Sequence, residues 1–290
     1  MLLSKGDKNM ENATLLSVYN ELIAKLRGLS FIESLTLIGE PVKKRSVDKI
    51  MDIDIVIIVK EPMAQKYYDK IKEVCERVCA KYTNPSIDVI YSTAVGPMKP
   101  KSFKGQEIFL HCLVHTAESY KNSPLHLVKL SWQKYKPISG THLKKIQSYN
   151  GITKDMLLNS ALGINHLIEL VSKDQSSYLD WEKGKGCMQH KIFPLQFKHD
   201  DEKADLYMYA VLRCASNMLR LHTGDNKVEI GKKMTNMFIK NFPEIKSNEF
   251  PQQIVNEKSL LRNKRYAGDI FKLKEKTLDF LNELKHKLEA

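Results

Sequence analysis

Two aspartates two residues apart, Asp52 and Asp54, stand in a run of branched aliphatics, Met51-Asp-Ile-Asp-Ile-Val-Ile-Ile-Val59. Read as a β-strand, the run sends residues i and i+2 to one face, so both carboxylates project together while Ile53, Ile55 and Ile57 pack on the other. Carboxylates taken out of water need a compensating cation, and a hard divalent ion with oxygen ligands suits them. A third acid, Asp88, sits in a second apolar run, Ser86-Ile-Asp-Val-Ile-Tyr91, and Gly39 ends an earlier one, Ser34-Leu-Thr-Leu-Ile-Gly39. Three acids on two strands near a glycine turn can converge on metal ions and a phosphate. An Asp-x-Asp pair alone equally marks an ordinary edge strand, so the weight lies on glycine, spacing and third acid together.

Eleven residues, Pro41 to Met51, separate Gly39-Glu40 from Asp52-Ile-Asp54. In this arrangement the chain resembles the DNA polymerase β-like nucleotidyltransferase superfamily, whose pattern is a strand ending in Gly-Gly or Gly-Ser, a short spacer, Asp-x-Asp, and an acid on a later strand. The likeness is to its small-molecule, aminoglycoside-type members with a C-terminal helical domain. It implies a pair of Mg²⁺ ions, with Mn²⁺ as a substitute, held by Asp52, Asp54 and Asp88, and an NTP co-substrate, ATP first. It also implies transfer of an NMP to a hydroxyl of a small-molecule acceptor with release of pyrophosphate, Asp88 taking the hydroxyl's proton. Gly39 would let backbone amides approach the phosphates, having no Cβ in the way. Glu40, Lys43, Lys44 and Arg45 would border the nucleotide, the three bases as clamps for pyrophosphate; a solvated loop is the other reading of each. Glu40 departs from the family's serine or glycine, and a carboxylate there must turn away from a triphosphate or pair with Lys43, Lys44 or Arg45.

The elements that must carry these residues follow from periodicity. Leu15, Tyr19, Leu22, Ile23 and Leu26 form a helical stripe over 14–27, ahead of Gly28. After the Asp-x-Asp strand, Glu61-Pro62 opens a helix to about Tyr82 with Met63, Tyr67, Ile71, Val74 and Val78 on one side. The Asp88 strand follows, then a loop at Gly96-Pro97, then a strand over 107–115. From Pro124 onward the period turns helical, over 155–172, 202–222, 228–241 and 268–287, with loops at 137–140 and 184–186 and a stop at Gly224. The fold class is therefore α+β: an N-terminal mixed β-sheet nucleotidyltransferase domain flanked by helices over 1–123, then an all-α helical, substrate-binding domain over 124–290. A substrate cleft is expected at their junction.

Composition narrows the alternatives. Hydrophobic residues at 42% and charged ones at 28% exclude a disordered or fibrous chain. Five cysteines, Cys75, Cys79, Cys112, Cys187 and Cys214, are odd in number and read as reduced, buried thiols. No apolar stretch is long enough to span a membrane and the start lacks a signal-peptide core, so the cytoplasm is the expected compartment. A net charge of +12 favours anionic partners, yet the basic residues are scattered, so nucleic acid ranks below an NTP and a small acceptor. The competing readings are NMP transfer to tRNA, another RNA or protein, and a non-catalytic module such as a toxin-antitoxin component. His111 and His115 share a strand face but lack a second ligand pair, which favours packing over zinc. Cys187-Met-Gln-His190 is half a metal motif, Ser160 and His166 lack a nucleophile elbow, and Tyr207 and Tyr209 are core residues before they are base-stacking ones.

Overall fold

The computed structural model describes residues 17–38, 52–61, 64–81, 86–90, 93–94, 107–183, 187–194, 200–261 and 266–290. The first described element is a helix, α1 (17–27), whose Val18, Tyr19, Leu22, Ile23 and Leu26 are buried along one face. Strands β1 (Ile32–Ile38) and β2 (Asp52–Val59) follow, then helix α2 (Ala64–Cys79), strand β3 (Ser86–Ile90), the two-residue β4 (Thr93–Ala94) and strand β5 (Glu107–Thr116). The main sheet is completed by β6 (Ser139–Gly140), and its strand order is β3-β5-β2-β1-β6. β5 lies parallel to both β2 and β3, whereas β1 is antiparallel to β2 and to β6. This is the mixed sheet flanked by helices that the sequence implies.

β2 reads as a continuous aliphatic run because both of its faces are covered. Ile55, Val56, Ile57, Ile58 and Val59 are all fully buried. On the face of Ile53, Ile55 and Cys112 lies α2, which buries Ile71, Val74, Cys75 and Val78 and brings Cys75 Sγ within 3.7 Å of Cys112 Sγ. The opposite face is covered at its far end by α3 (Ala117–Asn122), and α4 (His126–Trp132) packs behind it, Trp132 against Tyr120. Thr116 starts α3 with a capping box: its hydroxyl accepts from the Ser119 amide and the Ser119 hydroxyl accepts from its own.

β6 comes from beyond residue 123, so the sheet draws on both sides of the expected domain junction. It closes on the chain where β1 is irregular, between Ile32 and Ser34. Gly140 has φ +79°, and a Cβ there would stand 2.0 Å from the Glu33 carbonyl oxygen, so both conformation and space demand glycine. The loop expected over 137–140 thus ends in a strand pair.

The rest is mainly helical: α5 (Leu143–Ile146), α6 (Lys154–Asn159), α7 (Ile164–Lys173), α8 (Asp200–Thr223), α9 (Lys232–Asn241), α10 (Phe250–Leu261) and α11 (Ile270–Glu289). α8 is the hub, packed by α9, α10 and α11. Asp174 caps α7 in the left-handed region and accepts hydrogen bonds from Tyr207 Oη at 2.5 Å and Lys274 Nζ at 3.0 Å, tying α7, α8 and α11 together. Tyr207 is therefore a core residue, as expected.

Three details differ from expectation. The helix expected over 155–172 breaks into α6 and α7, because Leu162 takes φ +63° and Gly163 packs against the Leu157 and Ser160 carbonyls. α10 was masked in the sequence by Pro251, which sits in the first turn where proline is tolerated. The helical half also contains a hairpin, β7 (Gln175–Glu182) with β8 (Cys187–Pro194), and β4 pairs with β7 to make a second, three-stranded sheet. The hairpin docks on α2 through Trp181, which stacks on Tyr68 at 3.9 Å and donates from Nε1 to Gln65 Oε1. Among the described residues no helix is long and apolar enough to cross a membrane.

Candidate functional site

The site is set by strand register. Along the parallel pair β2 and β5, Asp52 lies opposite Phe109 and Asp54 opposite His111. On the other side of β5, Asp88 lies opposite the same Phe109. Cross-strand partners share a face and alternation repeats every second residue, so Asp52, Asp54, Asp88 and His111 occupy one face at one end of the sheet. Asp88 does not adjoin Asp52: β5 runs between them, and their Cα positions are two strand spacings, about 9–10 Å, apart. Glu107, the first residue of β5, falls in the same alternation phase as Phe109 and His111 and so joins this face.

Asp54 and His111 carry the described side-chain geometry of the site. Asp54 Oδ1 lies 2.6 Å from His111 Nδ1, with the imidazole 1% and the carboxylate 22% exposed. The imidazole is thus inside the sheet layer and the carboxylate at its rim. With a carboxylate as acceptor, Nδ1 is the nitrogen that carries the proton. β1 ends at Ile38, directly opposite Asp54, and the chain then enters residues outside the described set. Gly39, Glu40, Lys43, Lys44 and Arg45 all lie there.

The sequence matches no protein-family profile, and no curated protein is similar to it. Among solved structures, the chain is similar to spectinomycin adenyltransferase from Enterococcus faecialis, crystallised with ATP and spectinomycin. The TM-score is 0.48 at 10% identity, over 93% of this chain and 98% of that one. A likeness at that level carries no weight for chemistry, which this chain's own residues have to supply.

Those residues suit a hard cation. Asp52, Asp54 and Asp88 hold in-phase register positions at one end of the sheet, and aspartate oxygens match Mg²⁺ or Mn²⁺ rather than a soft metal. Among the described residues no three His, Cys, Asp or Glu side chains gather as a metal-binding group. Asp52 and Asp88 enter the site by backbone register, and Asp54 by its contact with His111.

The other candidates resolve individually. His115 shares the face of His111, but four residues along a strand separate them by about 13 Å, too far to share an ion. The His115 ring is buried edge-on against Tyr120, and burial, with the nearby charge of Lys129, pushes its pKa down to about 3. It is a neutral packing residue. Cys112 faces the other way, onto Cys75, whose thiol is held well above its ordinary pKa by the Cys112 sulfur and by burial. Burial raises Cys79 and Cys214 to about 12, so neither is a nucleophile. His190 meets His166, ring centres 5.3 Å apart, and burial lowers both pKa values. Sequence reading missed His111 as the neighbour of Asp54, because only register reveals that it stands beside that aspartate. A cavity of about 450 Å³ lies elsewhere, between the start of α10 and the side of α11, where it is lined by Lys246, Glu249, Phe250, Lys276, Asp279 and Glu283.

Proposed function

We propose that this chain is a metal-dependent nucleotidyltransferase that moves an NMP from an NTP, ATP first, to a hydroxyl of a small-molecule acceptor. The observation that supports it is the shared face of Asp52, Asp54 and Asp88, with Asp54 hydrogen-bonded to a buried imidazole. Carboxylates are costly to place at the rim of an apolar sheet, and a cluster of them is economical when it receives a cation. Asp52, Asp54 and Asp88 would hold Mg²⁺, whose chemistry is to offset triphosphate charge and orient an in-line displacement.

In this reading the acceptor oxygen forms a bond to the α-phosphorus as the bond to pyrophosphate breaks, and the hydroxyl's proton passes to the Asp88 carboxylate. Gly39 and the bases Lys43, Lys44 and Arg45 would border the phosphates, with Glu40 turned away or paired with them. The N-terminal unit, 1–123, would carry the chemistry on a sheet that β6 completes, and the mainly helical unit, 124–290, would select the acceptor.

The test is pyrophosphate release from each NTP in the presence of Mg²⁺ and a cell extract, followed by a mass search for an added NMP. Asp52→Asn and Asp54→Asn are each expected to lower turnover by about 10²-fold or more, since the lost electrostatic stabilisation amounts to several kcal/mol. Wild-type turnover in either variant refutes the assignment.

A further inference from the structure

We propose that His111 is a positioning residue of this site: its imidazole fixes the Asp54 carboxylate in the orientation that receives a divalent cation. The inference rests on the nucleotidyltransferase reading of Asp52, Asp54 and Asp88. It adds a residue that the Asp-x-Asp pattern does not contain.

Three observations carry it. His111 is paired in register with Asp54 on the neighbouring strand, so the contact is built into the ladder and not made by a wandering loop. Nδ1 lies 2.6 Å from Asp54 Oδ1, within hydrogen-bonding distance of a charged acceptor. The imidazole is 1% exposed in a strand whose neighbours, Leu110, Cys112, Leu113 and Val114, are apolar and buried. An aliphatic side chain would fill that position without the desolvation cost of a heterocycle. His115 on the same strand is as deeply buried and serves packing; what distinguishes His111 is that its Nδ1 is aimed at the Asp54 carboxylate.

The physical effect follows from the carboxylate's freedom. The terminal torsion of an aspartate is broad, so an unrestrained group at the rim of a sheet samples many orientations. A hydrogen bond from a rigid, buried ring narrows that range before any cation arrives, and ligating carboxylates are commonly oriented by such outer partners. His111 touches neither the cation nor the substrate in this scheme; it acts through Asp54.

The experiment measures Mn²⁺ binding to the full-length chain by electron paramagnetic resonance of the free ion, without turnover. Two substitutions separate position from polarity: His111→Asn places an amide nitrogen where Nδ1 stands, and His111→Gln places one where Nε2 stands. The Asn variant should keep affinity close to wild type, and the Gln variant should lose about 10–100-fold. Equal losses in both would assign His111 to packing and overturn the proposal, as would wild-type affinity in the Gln variant while Asp54→Asn loses the ion. If Asp52→Asn and Asp54→Asn both bind Mn²⁺ like the wild type, the parent reading has failed as well. Should the Gln variant not fold, the wild-type chain still decides: addition of Mg²⁺ must shift the ring ¹⁵N resonances of His111, and an unresponsive ring overturns the proposal.

Discussion

Lys129 shows how one side chain holds the cover of the site's sheet in place. Its ammonium is buried, yet it donates to the carbonyls of Tyr120 and Ser123 at 2.7 Å each, to Gln147 Oε1 at 2.8 Å and to Lys121 O at 3.2 Å. Burial lowers its pKa to about 8, so it remains mostly protonated at neutral pH. The three carbonyls belong to the last turn of α3 and the residue after it, Gln147 follows α5, and Tyr120 lies over His115. A buried ion pair can often be replaced by apolar groups of like volume, because both charges leave together. Here three of the four partners are backbone carbonyls, and these stay behind. Lys129→Met should therefore destabilise the fold by about 2–4 kcal/mol, the cost of orphaned buried acceptors less the recovered desolvation of the ammonium. Urea denaturation would show a lower midpoint at unchanged slope; an unchanged midpoint would mean that water satisfies the carbonyls.

At the scale of elements, the strands of the first half were legible because their signals are local. Branched aliphatics around Asp52 and Asp88 mark buried strands, and the Ile71, Val74 and Val78 spacing marks α2. The polar hairpin was not legible: Gln-Ser-Ser-Tyr-Leu-Asp-Trp-Glu buries Ser177, Leu179 and Trp181 through contacts with distant α2 and α7, and its alternation by side-chain type is weak. Strand order was hidden for the same reason, since pairing across the chain leaves no local mark. The order matters to the site. With β5 between β2 and β3, two acids compete to complete the pair Asp52 and Asp54: Asp88, which is level with Asp52 across Phe109, and Glu107, which precedes Phe109 by two residues on the middle strand. Level register favours Asp88. Its Asn variant should lose about 10²-fold in turnover, while Glu107→Gln should lose under about 10-fold, the difference between a ligand and a neighbouring charge. Steady-state pyrophosphate assays with both variants decide it, and the reverse ranking would transfer the third place to Glu107.

Across the whole molecule, four histidines whose pKa burial lowers, His115, His126, His166 and His190, couple stability to pH in one direction. Burial depresses His115 to about 3 and His190 to about 4, and lowers His126 and His166 as well, all from an ordinary 6.5. Below pH 6.5 these rings take up protons more readily in the unfolded chain than in the folded one, so the unfolded state binds more protons and stability falls as pH falls. For each ring the loss accrues between its unfolded and folded pKa at about 1.4 kcal/mol per pH unit. A net charge of +12 adds self-repulsion of the same sign. Carboxylate protonation is concentrated lower, around and below pH 4.5, so the interval from pH 6.5 to 5 isolates the imidazoles. Chemical denaturation across that interval should show a steep decline, and His115→Leu, which removes the most deeply buried of these rings, should flatten it by about 1.4 kcal/mol per pH unit. A slope unchanged by that substitution would mean that His115 protonates equally in both states, and that the cover built by Tyr120 of α3 admits water to the ring.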